Sequence, residues 1–219
     1  MMDVIRDPRL AQFGNQTVNS TGDPTYPEYA GQPYGLTEAE AGAIAIQDVS
    51  MLSDYMRTQD LAYPMLTLSQ ILFCRAEAAE LTWTTENPQQ MYEDAILASL
   101  TSYGVEADYA TFMTNSEVAW DASRAIELIS TQKWVALYLV GNQGWHNWRR
   151  TGWPILQPSP NGVLTSTIPI RQAYPDSERD LNGTNWQAAI DRQFGGVDGL
   201  NDELWLFPGS SKWADGDRN

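Results

Sequence analysis

Cysteine and histidine are almost missing from this chain, with one of each, Cys74 and His146, in 219 residues. A single cysteine rules out an internal disulfide and any site built on several thiolates. A single histidine with no cysteine near it in sequence gives poor support to a zinc site or a Ser-His-Asp triad, so His146 reads as a satisfied structural residue. Basic charge is scarce as well. Against 28 acidic residues stand 13 lysines and arginines, a net charge of −15. A polyanion partner needs the opposite footprint, so nucleic acid is excluded. No apolar run approaches the roughly 18 residues that cross a bilayer. The N-terminal MMDVIRDPRL is charged and lacks the apolar centre of a secretion signal. That leaves either a cytosolic chain or one that begins after its targeting segment.

What is present is a globular composition, 42% hydrophobic and 11% aromatic, enough for a sizeable core in one domain. The chain is organised around Ser116–Leu156. Ala122, Ala125, Ile126, Ile129, Ala136, Leu137 and Val140 fall on one face at helical spacing, predicting a long helix over 117–140. Gly141 and Gly144 are expected to break it. A tryptophan-rich turn or short helix then carries Trp145 and Trp148, followed by Arg149, Arg150 and Trp153. One arginine is expected to pair with a helix carboxylate such as Glu127, and the other to stack on a tryptophan or cap the helix end.

Three segments flank or form this centre: a loop-rich segment over 1–63, a helical core over 64–156 and an irregular C-terminal segment over 157–219. In the first, Thr37 to Gln47 reads as a short helix, while 50–56 is open between strand and helix. In the second, Thr67 and Gln70 form a capping-box pattern, opening a helix with Leu68, Ile71, Leu72, Ala76, Ala79 and Trp83 toward one side. Cys74 reads as packed beside Ile71 and Ala78. Asn87-Pro88 caps a second helix that shows Tyr92, Ala95, Ile96, Ser99 and Tyr103, and Gly104 stops it. The two form an αα-hairpin about the length of a tetratricopeptide unit. In the third, the stretch IPIRQAYP is too proline-rich for a central strand, DSERDLN reads as a polar loop, Asn185 to Phe194 as a short helix, and SSKWADGDRN as a frayed tail.

Candidate chemistry is sparse. The acidic groups Asp176/Glu178/Asp180 and Asp198/Asp202/Glu203 offer oxygen ligands for Ca²⁺ but lack EF-hand spacing, so solvated surface charge is the favoured reading. Asn15, Asn19 and Asn182 match the glycosylation acceptor pattern, which is frequent by chance. With 28 acidic residues, a glycosidase carboxylate pair is undiagnostic. Surface tyrosines remain. Tyr26, Tyr29 and Tyr34, among Asn15, Gln16, Asn19 and Gln32, have the composition that meets a sugar, with rings for its C–H faces and amides for its hydroxyls.

The motifs then become specific. TQKWVALYLVGNQGWHNWRRTGWPIL resembles the signature near the C-terminus of the SusD/RagB family, in its SusD-like branch. DPRL with YAGQPYG, PMLTLSQILFCRAEAA, YEDAILASLTSYGV, IPIRQAYPDSERDLN and DELWLF resemble further family motifs in the family's order. Gln70 stands where the family usually has Glu, and Leu206-Phe207 where it has Trp-Asp. The resemblance covers about residues 7 to 207 and implies an all-α, tetratricopeptide-like fold of helical hairpins with long irregular loops. It also implies an outer-membrane lipoprotein of Bacteroidetes that captures a glycan or other oligomeric nutrient for a SusC-like TonB-dependent transporter. Such proteins are not enzymes; no cofactor is expected here, with Ca²⁺ left open. Family members are about twice this length and reach the membrane through a lipid anchor absent from this chain, which resembles their C-terminal half. No binding residue carries over by motif, and Trp134, Trp145, Arg149, Arg150 and Trp153 read as scaffold. Two other readings stay open, a glycoside-processing enzyme and a helical-repeat scaffold that binds only proteins.

Overall fold

Thr67 and Asn87 start the two helices of the hairpin where the sequence places them. In the computed structural model, which describes residues 2, 5–161, 167–206 and 208–209, the Thr67 side chain accepts from the Gln70 amide and the Asn87 side chain from the Gln90 amide. Pro88 takes the first helical position, where a missing N–H costs nothing. The α-helices are α1 (Leu10–Phe13), α2 (Glu38–Ala43), α3 (Leu68–Glu80), α4 (Pro88–Ser102), α5 (Tyr109–Phe112), α6 (Ala125–Ala136), α7 (Gly141–Thr151), α8 (Asp176–Leu181) and α9 (Gly183–Phe194). No strand occurs among the described residues, only an isolated bridge between Gly14 and Leu52. The fold is all-α, as expected, and no described helix is long and apolar enough to cross a membrane.

The chain divides into two compact units, one of Met1–Pro33 with Thr37–Gly144, the other of Tyr34–Leu36 with Trp145–Asn219. In the first, α3 packs along α4 and against α6. Its core holds Leu72, Phe73, Ala76, Tyr92, Ala95, Ile96, Leu100, Leu128 and Ile129. Four of the five positions predicted for the α4 face (Tyr92, Ala95, Ile96 and Ser99) are buried. Tyr92 donates its hydroxyl to the Val118 carbonyl at 2.7 Å, so its polar end is satisfied inside the core, and burial pushes its pKa up.

The DPRL segment enters this core through a charge. Arg9 is 0% and Asp7 3% exposed. The guanidinium grips Asp7 in two places, Nε to Oδ1 at 2.8 Å and Nη2 to Oδ2 at 2.6 Å. It also donates to Ser99 Oγ on α4 at 3.0 Å and to Gln132 Oε1 on α6 at 2.7 Å.

The second unit is held by two more arginines. Arg149 on α7 lies 4.0 Å over the Trp145 ring and donates to the Ile170 carbonyl at 2.8 Å. Trp145 Nε1 reaches the Pro169 carbonyl at 2.9 Å. Arg171, 5% exposed, pairs with Asp198 at 2.6 Å and lies over the Phe194 ring at 4.1 Å. These contacts hold the segment around 169–171, which is irregular, as its prolines require.

Several expectations are corrected. The predicted 117–140 helix is shorter, Ala125–Ala136. Leu137 caps it, and beyond the cap Leu139 adopts a left-handed φ of 68°, with Leu137 and Val140 buried on either side. The glycines do not break the chain; Gly141 begins α7, and Gly144 lies inside it. Glu127 pairs with Arg124 at 2.6 Å rather than with Arg149 or Arg150, while the predicted arginine–tryptophan stack is present in Arg149–Trp145. DSERDL is helical, as α8. Gln70 does not reach back to close the Thr67 box; its side chain bonds Gln143 instead. A complete capping box occurs at Thr37–Glu40, opening α2. Cys74 is exposed, not packed, with Lys133 Nζ 3.4 Å from its sulfur. Leu68, Ile71 and Trp83 also face solvent. The predicted frayed tail over 210–219 lies outside the described residues.

α3 and α4 end in the same hydrogen-bond pattern on different residues. After α4, Gly104 has φ 69°, with Val105 N donating to Leu100 O and Gly104 N to Thr101 O. After α3, Thr82 takes φ 59°, with Trp83 N donating to Ala78 O and Thr82 N to Ala79 O. Glycine holds this left-handed position without steric cost, whereas a β-branched threonine is strained there.

Arg9→Ala is therefore expected to cost about 3–5 kcal/mol in urea unfolding, because it strands a buried carboxylate. The double change Asp7→Leu with Arg9→Met should cost less than the single one. Thr82→Gly is expected to raise stability by about 1 kcal/mol by relieving the left-handed strain, measured in the same titration.

Candidate functional site

The tyrosine loop is built from short side-chain bonds to its own backbone. Thr17, 0% exposed, donates its hydroxyl to the Pro27 carbonyl at 2.8 Å and its amide to the Glu28 carbonyl at 2.9 Å. Ser20 Oγ donates back to the Thr17 carbonyl at 2.8 Å. Asp23 Oδ1 accepts from the Thr25 amide at 2.9 Å and the Thr25 hydroxyl at 2.7 Å. Those two bonds hold the Asp23 carboxyl below its ordinary pKa, the backbone one contributing most. Both ends are strapped to residues 48–54: Asn15 N donates to Met51 O at 2.9 Å, and Ser50 N to Ala30 O at 2.7 Å.

This wiring engages most of the amides that the composition offered to a sugar. Asn15 Nδ2 donates to Asp54 at 3.4 Å and Asn19 Nδ2 to Asp48 at 2.5 Å, while Gln16 bonds Glu28. Gln32 is exposed. The tyrosines differ among themselves. Tyr26 is 43% exposed and Tyr29 half-buried, both in the first unit. Tyr34, 59% exposed, belongs to the second unit. There its hydroxyl bonds the Gln157 carbonyl, and its neighbour Gly35 turns at φ 71° with its carbonyl accepting from Asn161 at 2.8 Å. A side chain at Gly35 would collide with Ser159, so this turn requires glycine.

Sequence reasoning missed two rings. Trp83 is 77% and Trp205 85% exposed. Helical periodicity assigned Trp83 to the core side of α3, but the helix stops at Glu80 and the ring follows the Thr82 turn outward. The polar run Thr84-Thr85-Glu86-Asn87 beside it was the available signal for a loop position. A cleft of about 440 Å³ lined by Arg6, Asp108, Thr111, Phe112, Thr114 and Asn115 also escaped the sequence, since its walls come from distant segments. Ile5 and Pro8 complete its mixed lining, and Phe112 is 3% exposed there, so the cleft offers no open ring face to a ligand.

The residues weighed for catalysis or metal binding are engaged structurally. His146 Nδ1 lies 2.6 Å from Arg149 Nη2; a guanidinium only donates, so Nδ1 accepts and the neutral ring carries its proton on Nε2. Asp198 receives Arg171 and the Tyr174 amide, Asp202 the Gly199 amide and Glu203 the Gly209 amide. Arg179 pairs with Asp176 and Asp180. Among the described residues, no three His, Cys, Asp or Glu side chains are grouped to hold a metal ion.

A family model described as starch-binding and associating with the outer membrane, SusD-like, matches residues 1–175. No curated protein matches the chain. Among solved structures it is similar to a SusD homolog from Bacteroides fragilis NCTC 9343, at 25% identity over 94% of this chain and 50% of that one, with a TM-score of 0.78. A second SusD homolog from the same organism is 29% identical over 93% of this chain and 49% of that one, with a TM-score of 0.75. A chitin-binding protein superposes with a TM-score of 0.81 over 95% of this chain and 48% of its own, at 23% identity, a likeness of fold alone. The chain spans about half the length of the structures it matches.

Burial, and secondarily the Arg149 charge, lower the pKa of His146. The folded state thus binds its proton less readily than the unfolded chain, and this contribution to stability is present above the usual histidine value and lost as pH falls through it. As the sole histidine, its ring signal in proton NMR is expected to titrate below ~6.5. His146→Gln should flatten the loss of stability on acidification between about pH 7 and 5.

Proposed function

The chain belongs to the SusD-like family, described as starch-binding and associating with the outer membrane, and on that premise we propose that it captures glycan without chemical turnover. One observation carries the reading: exposed rings stand on loops whose own polar groups already hold the backbone. Tyr26 rises from a loop strapped by Thr17, Ser20 and Asp23, and Trp83 from a hydrogen-bonded helix end. A ring on a braced loop offers an apolar face to the C–H side of a sugar with little ordering left to do on binding. Capture of this kind needs no resident cofactor.

The captured oligomer passes to a SusC-like TonB-dependent transporter, with the protein held at the extracellular face of the outer membrane by a lipid anchor. Hydrolysis belongs to other proteins. The engagement of His146, Asp198 and Arg171 in structural contacts supports this division of labour.

Calorimetry with maltooligosaccharides and chitooligosaccharides, in buffer containing EDTA, tests the reading. Binding to at least one series is expected, with no new reducing ends released. Tyr26→Ala, Tyr34→Ala and Trp83→Ala are each exposed-site changes; at least one should weaken binding about tenfold, equivalent to ~1.4 kcal/mol. Released reducing ends, or affinity indifferent to all three changes, would remove the proposal.

A further inference from the structure

Most arginines of this acidic chain already grip a carboxylate. Arg9, Arg57, Arg75, Arg124, Arg171 and Arg179 each pair with an aspartate or a glutamate. Arg6 does not. It lines the cleft of about 440 Å³ in the first unit, and so does Asp108. Among the described residues neither side chain enters an ion pair or a hydrogen bond, with the other or with anything else. One wall of the cleft is helical: Asp108, Thr111, Phe112 and Asn115 recur at i, i+3, i+4 and i+7 over the turns around α5 and so share a face. The other wall is the segment entering DPRL. Asn115 Nδ2 donates to the Ile5 carbonyl at 3.1 Å, while its Oδ1 accepts the Glu117 amide at 2.9 Å. Beyond Arg6 stands the buried Asp7–Arg9 pair. Between these two anchors the Arg6 backbone takes φ 50°, a left-handed turn that strains any residue with a Cβ. Ile5 and Asp7 on either side are buried, and Arg6 is exposed. Strain of this kind persists where neighbouring contacts over-determine it, and it gathers at ligand sites.

Opposite charges that line one cleft without pairing suit a ligand that carries both. An anion alone would meet Asp108, and a cation alone would meet Arg6. A sugar has hydroxyls for both groups, but this cleft opens no ring to its C–H face. We propose that the Arg6–Asp108 cleft binds a small zwitterion, an α-amino acid with an aliphatic side chain. Its carboxylate takes the Arg6 fork, the geometry that gives a bidentate charge-assisted pair. Its ammonium takes Asp108, with the Thr111 hydroxyl, which makes no bond of its own among the described residues, as a further acceptor. The side chain lies against Ile5 and half-buried Pro8, the apolar part of the lining. The volume falls within the range of small-molecule pockets.

The inference stands apart from glycan capture, and its failure would leave that reading untouched. L-Leucine is titrated into the isotope-labelled chain while the backbone amide shifts of Thr111, Thr114 and Asn115 are followed. Saturable shifts are expected, with Kd below about 1 mM. L-Leucinamide, which lacks the carboxylate, and N-acetyl-L-leucine, which lacks the ammonium, should each bind at least tenfold more weakly. Arg6→Gly places in the left-handed turn the residue that tolerates it and removes the guanidinium. Asp108→Asn keeps the shape and removes the charge. Each variant should weaken L-leucine at least tenfold. Arg6→Gly should erase only the preference over L-leucinamide, and Asp108→Asn only the preference over N-acetyl-L-leucine. Were either variant to unfold, the two analogues still decide, because they act on the unaltered chain. Absence of saturable shifts overturns the proposal, as does either analogue binding as tightly as L-leucine. Affinity that survives both substitutions overturns it too. Displacement of L-leucine by maltose or chitobiose assigns the cleft to a sugar and overturns it as well.

Discussion

One buried guanidinium ties the first unit together. Arg9 reaches Asp7 beside it, Ser99 on α4 and Gln132 on α6, so three segments far apart in sequence meet on one planar group. Closing loops of that length has an entropic cost that rises slowly with size, and a rigid fork of donors makes several contacts from a single closure. The desolvation of such a charge is tolerable only because the carboxylate takes two of its donors and neutral oxygens take others. Remove the carboxylate and the position becomes a liability. Packing of α3, α4 and α6 supplies most of the apolar burial, but Arg9 fixes where the N-terminal segment lies against α4 and α6.

The second unit repeats the principle with different partners. Arg149 and Arg171 each pair a flat cationic face with an aromatic ring and a backbone carbonyl. Proline and loop-rich chain cannot satisfy its own backbone in a ladder, so arginine donors take up carbonyls that regular structure would otherwise have bonded. This explains why a chain so poor in basic residues places several of them where no solvent reaches.

Local chemistry made the hairpin legible. The Asn87-Pro88 start, the Gly104 stop and the α4 face are all decided within a few residues, and each is present. What failed was decided at a distance. Leu139 adopts a conformation leucine disfavours, between buried Leu137 and Val140, and no local propensity announces that. Cys74 and Ile71 were placed inside because α3 carries apolar residues on more than one side, and periodicity cannot rank two apolar sides. Gln70 matched a capping box but found Gln143 in space. The candidate site was legible in composition alone. Sequence identified Tyr26 and Tyr34 as surface rings, yet could not show that Asn15, Gln16 and Asn19 were already engaged, nor that Trp83 lies beyond its helix.

The strained turn at Thr82 has one more effect. With its β-branched side chain in the left-handed region, two hydrogen bonds pin the peptide that leads into Trp83. The direction in which the Trp83 Cα–Cβ bond leaves the chain is thereby set by the backbone itself. Whatever lands on that ring meets a side chain rooted at a fixed point, with only its own two torsions left to settle.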